Sequence, residues 1–281
     1  MTKPKILLAM PGPNIRFPTA QSCFTCCGKG YHMDVVGADN ASWDNFNALW
    51  ITALNGTKTH GYTHFAMIHA DICPDLNQDW VSILIEEMES KGASFISGVS
   101  AIKDGRGVTS SGIGDPECSW FPYRRFTMHE IMRFPETFDQ DDIGYSGYAL
   151  NHNSGLIMAD IRNPAFHSVL PDGEMAVWFE FKKKVYMDDD GVIKLKGESE
   201  DWNFSRRIWQ QGIQSCITRK TRALHYGTQG YPNYEAFGEH VHDEATRDRW
   251  EKTDPIESMF FESHLGHDGL SAVGPGESQV I

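Results

Sequence analysis

Three short stretches of this chain gather the residue types that do chemistry. "THFAMIHADICPD" (63–75) holds His69 and Asp71; "SEDWNF" (199–204) holds Glu200 and Asp201; "TRALHYG" (221–227) holds His225. A hard divalent cation takes carboxylate oxygens and accepts an imidazole. A carboxylate beside a reacting hydroxyl can take its proton. Each stretch also has a plain structural reading: a strand-end Asp caps a turn, and acids in a helix's first turn offset the macrodipole.

The elements that must position these residues are readable from apolar patterning. Phe65, Ala66, Met67 and Ile68 form a short continuous apolar run, as in a strand covered on both faces, and Pro74 rules out an immediate helix. In open α/β sheets, ligands sit beyond the carboxyl ends of the strands, where His69 and Asp71 would lie. "KILLAM" (5–10), "ASFISGVS" (93–100) and "SGLIMADI" (154–161) read as further strands. Helical spacing appears over 42–56, closed by Gly56, over 77–92, stopped by Gly92, and over 199–212 with Ser199 at the N-cap. Strand and helix alternate over the first hundred residues, which predicts an α/β fold with a mostly parallel sheet and crossover helices. Residues 103–117 read as turn-rich, 118–150 as aromatic and irregular, 187–199 as a loop with a hairpin arm, and 213–227 as a strand pair or extended segment.

Composition bounds the function. The 281 residues carry 25 Lys and Arg against 38 Asp and Glu, a net charge of −13. That balance argues against broad nucleic-acid affinity, and an acidic protein that handles phosphates needs a cation between them. A local groove for DNA would require Lys182, Lys183 and Lys184 to act with Arg124 and Arg125; "FKKKVY" reads equally as a solvated strand edge. Of six cysteines only Cys23-x-x-Cys26 has a suggestive spacing, and no second pair completes a zinc site. Free thiols, no apolar run of membrane-span length and an N-terminus too weakly apolar for a signal peptide make a cytoplasmic protein the expectation.

"FAMIHADICPD" resembles the strand-plus-acid motif of the GT-A-fold glycosyltransferases, in which an apolar strand leads into Asp-x-Asp. "SEDWNFSRRIWQQG…TRALHYG" resembles their later signature, an acidic pair opening a helix followed by a His before an aromatic and Gly. "SGVSAIKDGRG" resembles their Lys-bearing loop. The resemblance covers roughly residues 5–230 and implies a GT-A-like Rossmann-type sheet and a nucleotide-sugar donor, UDP- or GDP-linked. It also implies a Mn²⁺ or Mg²⁺ ion held by Asp71 and His225. Asp71 matches the second acid of the motif, and His69 stands in the first acid's place, against ribose or metal. Glu200 and Asp201 match the acidic pair near the acceptor, and the terminal His leans the reading toward retention of configuration. Pro11 and Gly12 match the segment that cradles the base. Asn47 matches the second member of an Arg-Asn pair, with Phe46 in the Arg position. Lys103 is placed to reach the diphosphate or is a solvated loop lysine, and Gly155, after Asn153 and Ser154, lies beneath the sugar. Trp120, Phe121 and Tyr123 are either acceptor-stacking or core aromatics.

The expected organisation is a catalytic domain over 1–235, with a nucleotide-binding half (1–115) and an acceptor half (116–235). A C-terminal extension or lid over 236–281 carries "GEHVHDE" and "ESHLGHDG", solvated or a second metal site. Two other readings stand beside the transferase. One is a metal phosphohydrolase, from the His-Asp pairs at 242–243 and 267–268; the other is a non-catalytic sugar- or nucleotide-binding relative, from His69 in an acid's place. The acceptor is not readable: glycan, protein, metabolite and modified DNA base all fit.

Overall fold

The computed structural model describes residues 3–26, 29–117, 123–187, 189 and 191–239. Its centre is a seven-stranded mixed sheet built from β1 (Lys5–Pro11), β2 (His32–Ala38), β3 (His64–Ile68), β5 (Phe95–Gly98), β8 (Thr137–Phe138), β10 (Leu156–Asp160) and β13 (Ser215–Thr218). The spatial order is β2-β1-β3-β10-β5-β13-β8. β1, β2, β3, β5 and β13 run the same way, while β10 and β8 oppose their neighbours. Strands from both sides of residue 115 therefore share one sheet.

Buried alternation splits the core into two layers. Leu7 and Ala9 of β1 and Phe65 and Met67 of β3 face a cluster with α2 (Trp43–Thr59) and α5 (Glu200–Gln210). Ile6 and Leu8, with Ala66 and Ile68, face the other cluster with α1 (Phe17–Cys26) and α3 (Trp80–Ser90). Period-two alternation on strands covered on both faces requires apolar residues at every position, which is what made these strands legible.

Ser42 caps α2 by accepting from Asn45 N–H. Trp50 anchors that helix, lying edge-on to Phe65, Phe166 and Phe204 at ring distances of 5.2, 5.4 and 5.6 Å. Its Nε1 donates to Val177 O at 3.0 Å. Trp50→Ala removes a fully buried ring and leaves that carbonyl without its donor, so it should cost about 3–5 kcal/mol. The check is a urea midpoint lowered at unchanged slope.

Smaller sheets surround the centre. β14 (Ala223–Tyr226) lies between β4 (Ile72–Pro74) and β15 (Gly230–Pro232); β6 (Val108–Gly114) lies between β7 (Tyr123–Thr127) and β9 (Ala149–Asn151). α4 (Met128–Ile131) follows β7, and β11 (Lys182–Met187) with β12 (Ile193–Glu198) forms a separate hairpin.

Several expectations need correction. Helix α2 continues through Gly56 to Thr59; that glycine is a close approach, since a Cβ there would stand 2.3 Å from the Tyr62 ring. Residues 103–117 contain strand β6, whose Gly112 backs onto Arg124 O, where a Cβ would sit at 2.2 Å. Gly112 thus answers to close strand packing and not to a turn. The stretch 118–150 contributes β7, α4, β8 and β9. Among the described residues no helix is long and apolar enough to cross a membrane. Cys23, Cys26, Cys73 and Cys216 are buried.

Candidate active site

After Ile68 the chain turns. His69 N–H donates to Gly155 O at 2.8 Å and Ile72 N–H to His69 O at 3.1 Å, so residues 69–71 leave the sheet at its carboxyl edge. β4 then pairs with β14, setting His225 opposite Ile72, and Tyr226 N–H donates to Asp71 O at 2.9 Å. This pairing brings His225 to Asp71 from the far end of the chain.

Asp71 Oδ2 lies 2.6 Å from Lys103 Nζ and 3.7 Å from His225 Nε2. His225 Nδ1 stands 2.7 Å from Ala101 O. A carbonyl only accepts, so Nδ1 carries a proton, and Nε2 is the ring nitrogen turned toward Asp71. A backbone carbonyl orienting the second ring nitrogen is the usual support of a metal-ligating His. Burial opposes charge on Asp71, but His225 and Lys103 outweigh it and hold the carboxyl well below the usual carboxylate range.

Pro11 is buried at the end of β1, and Gly12 N–H donates to Ala38 O at 3.0 Å. Gly12 has φ +137°, and a Cβ there would meet Ala70 Cβ at 2.8 Å, so the ends of β1 and β3 close up only around glycine. Arg16 follows, its N–H donating to Ala70 O at 3.0 Å and its Nη2 to Gly227 O at 3.2 Å. Its guanidinium lies 4.8 Å over the Tyr226 ring. Gly227 also touches Lys103, whose Cβ would stand 3.1 Å from an added Cβ. Exposed Arg16 and Lys103 thus bracket the Asp71–His225 corner. Sequence reasoning missed Arg16; its only signal was a basic residue in the β1–α1 connection.

The acidic pair lies on the other side of His69. His69 packs on Phe46 at a ring distance of 5.1 Å and directs Nε2 toward Ser154 Oγ at 3.5 Å. Burial pushes its pKa down to about 4, so the ring is neutral at neutral pH. Asp201 takes hydrogen bonds from Ser154. Ser205 Oγ donates to Asp201 O at 2.7 Å and accepts from His152 N–H at 2.9 Å. The His152 ring sits between Ser97 Oγ and Ser215 Oγ, both at 2.9 Å, and burial pushes its pKa down to about 3. The start of α5 is thereby tied to the 152–155 segment and to two strands.

Both carboxyls of Glu200 and Asp201 titrate above the ordinary range. Burial is the main cause for each; repulsion from Asp201 adds to it for Glu200. The two carboxyls are close enough that the titration of each depends on the other.

The remaining expectations sort as follows. Gly155 has no room for a side chain: a Cβ would stand 2.5 Å from Ile72 Cδ1 and 2.6 Å from Asn153 Oδ1. Asn47 spends its amide on the backbone of Phe179, donating to Phe179 O at 2.7 Å and accepting from Phe179 N–H at 2.9 Å. His69 faces Ser154, and among the described residues no three His, Cys, Asp or Glu side chains gather as a metal's ligand set. His69 reaches the acidic pair through Ser154, which hydrogen-bonds Asp201. Arg206, further along the same helix as that pair, meets Glu198 in the interior at 3.2 Å. Arg124 is sealed against Glu130 and offers no cation to a groove. Trp120, Phe121, the Tyr123 side chain and residues 240–281, with nearly all of the His-rich extension, lie outside the described residues.

A Mn²⁺ or Mg²⁺ ion fits the corner as a partial site. Asp71 Oδ2 and His225 Nε2 supply one hard oxygen and one oriented nitrogen, and such ions commonly keep one or two protein ligands and complete their shell with phosphate and water.

No family model matches the chain, and no curated protein is similar to it in sequence. Solved structures similar to it include A197 from STIV, at 12% identity over 79% of this chain and 86% of that one, with a TM-score of 0.41. Another is mannose-1-phosphate geranyltransferase from Thermus thermophilus, at 12% identity over 61% and 62%, with a TM-score of 0.32. A third is apo UDP-glucose pyrophosphorylase, at 11% identity over 79% and 76%, with a TM-score of 0.30. At these identities and scores none of the three bears on the chemistry at Asp71.

Proposed function

We propose that the protein is a glycosyltransferase that moves a sugar from a nucleotide-sugar donor to a hydroxyl acceptor with a divalent metal as cofactor. The observation that carries this reading is the corner at the end of β3, where anionic Asp71 meets Lys103 and an oriented His225 Nε2. In the transfer, the bond between the sugar's anomeric carbon and the diphosphate oxygen breaks, and the acceptor oxygen bonds that carbon. Negative charge grows on the diphosphate, and the acceptor hydroxyl gives up its proton. Asp71 and His225 would hold the metal, which supplies Lewis-acid stabilisation to the leaving diphosphate.

Lys103 and Arg16 bracket the same corner and add positive charge for the phosphates. Glu200 and Asp201 position the acceptor hydroxyl or receive its proton, with Ser154 fixing Asp201. Gly155 lets the 153–155 turn close against Ile72 and Asn153, which fixes Ser154 beside Asp201.

A second reading rests on the 2.6 Å Lys103–Asp71 contact: the lysine supplies the positive charge and the corner binds a nucleotide sugar without a metal. Hydrolysis of a panel of nucleotide sugars and simple phosphate esters, with and without Mn²⁺, separates the possibilities. The transferase should slowly hydrolyse one donor only with metal. Equal hydrolysis without metal supports the lysine reading. Cleavage of many phosphates marks a phosphohydrolase, and no cleavage with retained binding marks a non-catalytic relative.

A further inference from the structure

The β11–β12 hairpin carries an apolar face that the described residues leave largely exposed. Of fifteen large apolar side chains exposed among the described residues, six belong to this arm: Phe181, Val185, Met187, Val192, Ile193 and Leu195. The ladder pairs Val185 with Leu195 and Met187 with Ile193, and side chains opposite one another share a face. These four are 69%, 52%, 66% and 69% exposed in that order. Lys182, Lys184, Tyr186 and Lys194 lie on the opposite face by alternation, with Lys182 engaged to Glu180 at 3.7 Å.

The charge along the arm indicates what covers that face. Residues 182–190 read KKKVYMDDD, three lysines, a three-residue centre and three acids. Reversed about Tyr186, the positions that share the apolar face pair Lys183 with Asp189 and Val185 with Met187. Lys183 shares the apolar face with Val185 and Met187, and Asp189, two residues on, is exposed.

We propose that this face docks a second copy of the same chain. Two hairpins stack antiparallel about a two-fold axis, apolar quartet on apolar quartet, with Lys183 of each copy against Asp189 of the other. Such an interface is isologous, so one favourable contact is made twice. A parallel stack would set like charges together, and an anionic lipid surface would repel the three acids that end the segment. Four apolar residues and one charged pair from each copy fall short of the roughly 20–30 residues a side of a standard interface, so the dimer is weak and salt-sensitive.

Sedimentation velocity on the full chain over rising concentration tests this, on wild type, Lys183→Asp, Asp189→Lys and the double variant. Wild type should shift from monomer to dimer. Each single swap places like charges together twice and should weaken the dimer at least about tenfold. The double swap should restore it, because every exchanged residue meets its exchanged partner. Val185→Asp should abolish it. All three positions are exposed, so unchanged circular dichroism and melting temperature keep the comparison clean. A wild type that stays monomeric overturns the proposal. So does a dimer indifferent to the single swaps, a loss that the double swap fails to rescue, or lysine-dependent binding of monomer to anionic vesicles.

Discussion

Asp71→Ala should lower turnover of the nucleotide-sugar donor by about 10²–10³-fold, the scale of removing one preorganised electrostatic contact in an active site. The carboxyl is the shared partner of Lys103 and His225, so its loss leaves two cationic or metal-facing groups with no common anchor. The fold should survive, because Asp71's backbone, not its side chain, holds Tyr226. Asp71 is held anionic in the folded protein, so its ion pairing contributes stability above the unfolded carboxyl pKa and loses it as pH falls below that value. The variant should therefore melt slightly below wild type at neutral pH and converge with it in acid. Lys103→Met is the companion: on the metal reading it weakens the donor less than Asp71→Ala and keeps the Mn²⁺ dependence. If Lys103→Met abolishes activity and Mn²⁺ has no effect on wild type, the lysine supplies the charge.

The second large effect is at the acidic pair. Asp201→Asn should cut transfer to acceptor by about 10²–10⁴-fold, the range for a positioned proton-transfer group. Donor affinity should change little, which a KM-against-kcat comparison reads directly. The same substitution should raise stability at alkaline pH. Both carboxyls have folded pKa values above their unfolded ones, mainly through burial. Their contribution is thus fully present below the unfolded pKa and is lost as pH rises through the folded values. Wild type should lose melting temperature between about pH 5 and about pH 8, and Asp201→Asn should flatten that slope and cross above wild type. Parallel melting curves at every pH would show that the two carboxyls do not titrate above their unfolded values in the folded protein.

Strands β1, β3, β5 and β10 and helices α2, α3 and α5 were legible because each buries a periodic apolar set. Strand β2 was silent: as the sheet's edge it is mostly exposed and shows no apolar run. Helix α1 was silent for a related reason. Its Phe17 and Phe24 are 76% and 75% exposed, while Thr19, Ser22, Cys23 and Cys26 face inward, so its apolar residues do not mark the buried face. Strand β6 hid behind turn-like composition that includes Gly112, a glycine that crowding by Arg124 requires.

Within the site, strand-end acids and a helix-start acidic pair are visible in sequence because local position gives them meaning. His152 and Ser205 are not, because their partners arrive from β13, β5 and α5. Arg16 likewise acquires a role only when Gly227 and Tyr226 fold beside it. Asn47 shows the reverse error. A polar residue at a plausible helix position is spent on the backbone of Phe179, which no local pattern discloses.

The central claim is that the Asp71–His225 corner binds a nucleotide sugar through a divalent metal. Its most direct test is a thermal-shift screen of UDP-, GDP- and other nucleotide sugars on wild type and Asp71→Ala, each with and without Mn²⁺. The account predicts a melting-temperature rise for one donor, present only with Mn²⁺ and absent in the variant. No rise for any donor in the presence of Mn²⁺, or the same rise in Asp71→Ala, would contradict it.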